Sequence, residues 1–161
     1  MSIFFGKVLS KEQLVNDISS LKKKSKKIVF TNGCFDILHP GHVSYLAEAR
    51  SLGDILVVGL DTDESVRKLK GESRPIQNQE ARAKVLTSLR SVDYVCFFGE
   101  GNPEPLIEAI APDVLVKGGD WQSDQIVGSQ IVLGDGGMVK SLAFVDGYST
   151  TSLIEKIWNL R

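Results

Sequence analysis

Cysteine is scarce: Cys34 and Cys96 are the two present among 161 residues. Two thiols build neither a disulfide framework nor a cysteine-rich metal site, and they fit a reducing compartment. A basic excess is also absent. Lys and Arg number 19 against 20 Asp and Glu, for a formal charge of -1. General nucleic-acid binders carry surplus positive charge, so that function is not expected. No apolar run nears the roughly 18 residues that cross a membrane. The N-terminal residues lack the charged start, apolar stretch and cleavage site of a secretory signal. No G-x-G-x-x-G follows the first strand-like run, which disfavours a dinucleotide-dependent dehydrogenase. Repeats, low-complexity stretches and linkers are missing too. What remains is a cytoplasmic globular protein of one domain's length, for which 42% hydrophobic and 24% charged residues are ordinary.

The sequence alternates between two patterns. Short apolar runs occur at Ile28–Thr31, Ile55–Leu60, Tyr94–Phe98, Val114–Val116 and Ser141–Val145. Most are continuously apolar, as strands buried on both faces of a parallel sheet must be. Helical spacing fills the gaps. Val43, Leu46 and Ala47 share a face from Pro40 to Leu52, and Ala81, Val85, Leu86 and Leu89 share another behind Asn78 as a cap. Asn102-Pro103 opens a further helix, and Leu153, Ile157 and Leu160 line a last one. Ahead of the first strand, Leu14, Ile18 and Leu21 follow a capping-box pattern at Ser10 and Gln13. The alternation predicts an α/β, Rossmann-like doubly wound sheet: five parallel strands in the order 3-2-1-4-5, with helices on both faces. Residues 1–25 form a helical segment packed on the domain spanning 26–161. The lysine run from Lys22 to Lys27 reads as a solvated helix end rather than a nucleic-acid patch.

Three motifs follow three of these strands. The first is the stretch Thr31-Asn32-Gly33-Cys34-Phe35-Asp36-Ile37-Leu38-His39-Pro40-Gly41-His42. A buried strand ends in a glycine turn and enters a helix at Pro40. Free N–H groups and the positive dipole end there make a phosphate site. His39 and His42, the chain's two histidines, lie three residues apart on one face. A two-histidine metal site is the weaker reading, with Asp36 as the nearby third ligand. The second motif is Val116-Lys117-Gly118-Gly119-Asp120-Trp121. Asp120 suits ribose hydroxyls or a metal-bound water, and Trp121 suits a sugar or base; a plain Gly-Asp turn is the alternative. The third is Gly147-Tyr148-Ser149-Thr150-Thr151-Ser152. Its hydroxyls either cap a helix, with Ser152 and Glu155 as a capping box one step later, or face phosphates, and both can hold together. Strand ends near a reversal of strand order are where open α/β sheets bind ligands.

NGCFDILHPGH resembles the signature of the HxGH nucleotidyltransferases. With VKGGDW and GYSTTSLI it resembles the cytidylyltransferase-like branch, and within it the adenylyltransferases of ADP-heptose synthesis. The resemblance covers nearly all of the chain from Lys26 onward. It implies a nucleotidyltransferase taking ATP with Mg²⁺ and heptose 1-phosphate, without a protein-held metal, and working as a homo-oligomer, a dimer or larger. In many bacteria this activity is half of a kinase fusion; the expectation here is the stand-alone form.

The resemblance also distributes roles. His39, His42 and Lys117 would be catalytic. Asn32, Gly33, Phe35, Gly41, Gly119, Asp120, Tyr148, Ser149, Thr150 and Thr151 would bind nucleotide. Asp36, Arg82, Lys68, Lys70 and Trp121 would bind the second substrate, with Lys68 and Lys70 on a mobile basic loop. The arginine that cytidylyltransferases place before the third motif is absent, where Phe144-Val145-Asp146 stands, and Lys117 is the expected replacement. Two readings remain open beside this one: a cytidylyltransferase acting on an alcohol phosphate, and a non-catalytic nucleotide-binding protein.

Overall fold

A computed structural model describes residues 5–99, 101–143 and 145–160. Its strands are β1 (Lys7–Val8), β2 (Ile28–Gly33), β3 (Ile55–Asp61), β4 (Tyr94–Phe98), β5 (Val114–Gly118) and β6 (Met138–Leu142). Its helices are α1 (Lys11–Lys22), α2 (Pro40–Ser51), α3 (Asp63–Lys70), α4 (Gln79–Thr87), α5 (Glu104–Ile110), α6 (Ser129–Gly134) and α7 (Thr150–Trp158). The sheet is parallel throughout and runs β1-β4-β3-β2-β5-β6.

The five-strand expectation is therefore corrected to six. The extra strand, β1, is two exposed residues pairing Lys7 with Tyr94 and Val8 with Val95 at one edge. No apolar run marks it, because an edge strand this short buries nothing. The other five keep the relative order predicted for them. The last was expected at Ser141–Val145 and runs three residues earlier. It alternates, burying Val139 and Leu142 while exposing Met138 and Lys140, so a search for continuous apolar runs missed its start.

Strand residues alternate between two cores. Ile28, Phe30, Val57, Cys96 and Leu115 meet Leu14 and Ile18 of α1, Leu106, Ile107 and Ile110 of α5, and Val132 of α6. Val29, Leu56, Val58, Val95, Val114 and Val116 meet Tyr45, Leu46 and Ala49 of α2, and Ala83 and Leu86 of α4. Helix starts follow local chemistry. Ser10 and Gln13 form the expected capping box, and Asn78 caps α4 through the Ala81 N–H at 2.8 Å. At α5 the Asn102 side chain accepts from the Glu104 N–H at 3.0 Å and Pro103 already holds helical backbone, so the expected Asn102-Pro103 start is present, with the regular helix beginning at Glu104. In the lysine run, Lys22 donates to the Ala111 carbonyl and Lys26 pairs with Asp54.

Arg82 departs from its expected place in the substrate site. It is 1% exposed and enclosed. Its Nε donates to the Gln77 carbonyl at 3.0 Å, Nη1 to Cys34 at 2.6 Å, and Nη2 to both the Asp61 carbonyl and the Asp63 carboxylate at 2.8 Å. One guanidinium thus ties the loop after β2, the end of β3 and the segment entering α4. A buried charge is stable only when paired and hydrogen-bonded, and here the backbone supplies most of the partners. Arg82→Met should cost at least about 3 kcal/mol of unfolding free energy, by analogy with other broken buried pairs. Arg82→Lys should recover less than half, because an ammonium cannot span the four acceptors. Urea unfolding midpoints check both. A near-native midpoint for Arg82→Met would return Arg82 to the role of a ligand-facing cation.

Candidate functional site

Beyond the carboxyl ends of β2, β3 and β5 lies a cleft of about 760 Å³, in the size range of small-molecule sites. Its floor and walls come from the loop after β2, the end of β5, the end of α3 and the start of α7.

The loop after β2 enters α2 at His39. This residue is the helix N-cap, with extended backbone, and its Nδ1 accepts the His42 N–H at 3.4 Å. Nδ1 must therefore be unprotonated and the proton sits on Nε2. The two imidazoles stack, centroids 3.8 Å apart and planes at 22°. Phe35 meets His42 edge-on at 5.4 Å, and Tyr148 lies parallel to His39 at 6.3 Å. Gly41 permits this layering: a Cβ there would stand 3.0 Å from His39 Nδ1 and 3.4 Å from the Tyr148 Cβ. Phe35 itself holds a left-handed backbone, φ 44°, a conformation non-glycine residues seldom adopt outside functional sites.

Neither histidine is a ready cation. Burial lowers the pKa of His39. It drives that of His42 down to about 4, helped by the neighbouring His39 and weakly opposed by the Ile37 backbone. Among the described residues, His42 Nδ1 is the one buried side-chain polar atom without a hydrogen-bond partner. At neutral pH both are neutral imidazoles.

Lys117 ends β5 and lines the cleft. No hydrogen bond or ion pair reaches its side chain among the described residues. Burial lowers its pKa, while the Asp61 carboxylate pulls the other way. Asp61 ends β3 with its pKa raised by burial, against hydrogen bonds from Ser65 and Cys34 and the charges of Lys117 and Arg82. Burial, and then the Asp61 charge, pushes the Cys34 thiol up to about 11, so it is no nucleophile at neutral pH. Asp61 is thus the carboxylate that Lys117 senses.

At α7, Ser149 is the N-cap, accepting the Ser152 N–H at 3.0 Å. The expected later cap at Ser152 is therefore corrected by one turn. Thr150 Oγ1 donates to the Ile37 carbonyl at 3.3 Å, fastening α7 to the loop before α2. Two helix starts thus converge on one space.

The structure brings Asn32, Gly33, Phe35, Asp36, His39, Gly41, His42, Lys70, Lys117, Tyr148, Ser149, Thr150 and Thr151 to the cleft. It places others elsewhere. Gly119, Asp120 and Trp121 do not line it. Ser141 donates to the Gly119 carbonyl and accepts the Trp121 N–H, folding that turn against β6. Trp121 is 49% exposed, its indole N–H bonded to the Gly118 carbonyl at 3.0 Å. Lys68 pairs with Glu64 at 2.8 Å on the exposed side of α3. The expected mobile loop is this helix, capped by Thr62 with Asp63 and Glu64 in its first turn. Those start signals were readable in sequence. Phe144 lies outside the described residues. Sequence reasoning missed Asp61 and Arg74, which both line the cleft.

The depressed His42 fixes a sign for acid sensitivity. Below pH 6.5 the unfolded chain binds a proton that folded His42 refuses until about pH 4. Stability from this residue is therefore full above 6.5 and lost as the pH falls toward 4. His42→Gln should remove that part of the pH dependence and show a flatter loss on acidification. Urea unfolding across this window checks it; parallel curves for the two proteins would contradict the assignment.

With the site laid out, known proteins can be set beside it. The sequence model of the family described as cytidylyltransferase-like matches residues 30–156. Bifunctional protein HldE of Marinomonas sp. is 55% identical over 152 residues, covering 94% of this chain and 32% of HldE. HldE of Haemophilus ducreyi is 55% identical over 157 residues, covering 98% and 33%. The chain spans about a third of the length of these curated relatives. The crystal structure of a lipopolysaccharide core biosynthesis protein from Thermoplasma volcanium superposes with TM-score 0.60 at 28% identity, over 77% of this chain and 99% of that one. A pantoate-beta-alanine ligase from Francisella tularensis shares the fold, TM-score 0.62 at 16% identity, over 96% of this chain and 78% of that one. A histidine pair at a helix start beyond β2, a second helix start beside it and a family match across most of the chain agree: the chain belongs to the cytidylyltransferase-like family.

Proposed function

We propose that this chain transfers AMP from ATP to D-glycero-β-D-manno-heptose 1-phosphate, releasing pyrophosphate and forming ADP-heptose for lipopolysaccharide core or related surface-glycan synthesis. The observation that carries this reading is the 55% identity to HldE over nearly the whole chain, in a region bearing all three motifs of the ADP-heptose-forming adenylyltransferases. The likeness to the lipopolysaccharide core biosynthesis protein of Thermoplasma volcanium supports the pathway. Residues 26–161 form the transferase domain in this reading, with the first 25 packed on it. The same resemblance supports a cytoplasmic homo-oligomer.

The acceptor phosphate is anionic at neutral pH, so no general base is needed. One of its oxygens forms a bond to the α-phosphorus of ATP. The bond from that phosphorus to the bridging oxygen breaks, and pyrophosphate leaves with the electron pair. No proton moves and no enzyme intermediate forms. The protein's part is alignment and charge stabilisation. The His39 Nε2–H and the N–H groups opening α2 and α7 serve as donors to phosphate oxygens. Lys117 neutralises charge at the floor. ATP brings Mg²⁺, which screens the phosphates.

The deciding experiment is pyrophosphate release with Mg²⁺ and a panel of sugar 1-phosphates, ATP against CTP. Release with ATP and the heptose substrate alone fits the proposal. Preference for CTP with an alcohol phosphate, or nucleotide binding without release, overturns it.

Five substitutions at three positions probe the machinery. His39→Asn keeps a capping side chain for α2 and removes the Nε2 donor, whereas His39→Ala also loses the cap, worth about 1 kcal/mol. Both, and His42→Ala, should lower turnover by about 10²–10³. Folded variants with near-normal rates would remove the histidines from the mechanism. Lys117→Met should lower kcat/KM by at least about tenfold, or 1.4 kcal/mol. It should also raise the melting temperature of the empty protein, because a desolvated cation is removed. Lys117→Arg should restore part of the rate. Kinetic constants within about twofold of the parent would make Lys117 structural.

A further inference from the structure

Three cations line the cleft, and Arg74 among them is locked in place from behind. Its Nε donates to Asp36 Oδ2 at 2.7 Å, and its own N–H to the Gly71 carbonyl at 3.0 Å. The Asp36 side chain has no exposure, and that of Arg74 has 15%. The N–H groups of Ile76 and Gln77 also bond Asp36, at 2.8 and 2.9 Å. Neither terminal nitrogen of Arg74 has a hydrogen-bond partner among the described residues. Nor is either sealed from solvent. The result is a guanidinium fixed at one edge, with its outer donors unspent and facing space that a ligand can fill.

Position decides what that ligand is. Arg74 follows α3 and so stands on the β3 flank of β2. The α7 start follows β6 and stands on the opposite flank, while the α2 start lies between. The two helix starts suit the nucleotide's phosphates. That leaves the β3 flank for a second anion. A terminal phosphate monoester has three free oxygens. A guanidinium fork can hold two of them side by side and leave the third to attack.

We infer that Arg74 binds the phosphate of the acceptor substrate and that Asp36 is the positioning residue that aims it. This rests on the acceptor being a sugar 1-phosphate, as proposed above. Arg74 is then the specificity element that demands a terminal phosphate, the part expected of Arg82, which the fold has enclosed. Asp36 acts through Arg74 rather than on the substrate.

The test separates binding from turnover. Full-length protein is titrated with D-glycero-β-D-manno-heptose 1-phosphate in the presence of ADP and Mg²⁺, where no transfer occurs, and ADP affinity is measured separately. Arg74→Gln should weaken the sugar phosphate at least tenfold and leave ADP within twofold. Arg74→Lys should fall between, because an ammonium gives a point contact in place of a fork. Asp36→Asn should weaken the sugar phosphate with ADP affinity kept, whereas a merely structural Asp36 would lower both. Sugar-phosphate affinity within twofold in Arg74→Gln overturns the inference. So does joint loss of both affinities in Arg74→Gln and Arg74→Lys, or absence of sugar-phosphate binding to the parent. If binding depends on Arg74 but the parent releases no pyrophosphate from ATP, the transfer reading falls while the Arg74 assignment stands.

Discussion

Parallel pairing of β2 with strands on both sides is the constraint from which the cleft follows. β2 pairs with β3 through Ile28 to Gly33, and with β5 through Val29 to Thr31. The chain leaves β2 through α2 on one face of the sheet and reaches β5 through α5 on the other. Loops beyond the two strand ends therefore diverge and leave a crevice between them. The helix starts, the histidine layer and Lys117 border that crevice because of where β2 and β5 end. Apolar residues on both faces of β2 favour this central place, where Ile28, Val29 and Phe30 are completely buried.

The cleft is built to receive charge rather than to hold it. Its histidines are neutral, and one has a buried nitrogen with no partner. Its lysine is partly desolvated, with Asp61 as an opposing counter-charge. Each group carries a desolvation cost as the protein stands, and the phosphates of the proposed substrates would offset it. Preorganised donors in a water-poor pocket act most strongly on charge that spreads over phosphate oxygens during transfer. The supporting layer is spent inwardly. Arg82 holds three loop carbonyls, and Asp36 holds the 74–77 segment, so the donors that face the cleft do not have to find their geometry when substrate binds.

Local spacing was enough to place the β-α alternation, the Ser10–Gln13 capping box and the His39/His42 pair at a helix start. These features depend on residues within one turn or one strand, where periodicity and side-chain reach act directly. β1 was not legible, because two exposed edge residues leave no pattern. The helical character of α3 was legible in its Thr62 cap and acidic first turn, but few apolar residues drew attention to it.

Tertiary structure decided which charged residue does what. Asp36 and Arg74 are 38 residues apart, and Arg82 and Cys34 are 48 apart. Nothing local distinguishes an arginine that will be enclosed from one that will face a ligand. That choice depends on which loop carbonyls and carboxylates the sheet order brings within reach. The turn at Gly119 to Trp121 makes the same point: its motif looks like a ligand loop, yet Ser141 of the neighbouring strand folds it away from the cleft. Sequence by itself settled the strand–helix rhythm and the helix start that carries His39 and His42, because both are written in backbone propensity and short-range spacing. The division of cations between scaffold and site was settled by long-range contacts, which exist only once the strands have taken their order.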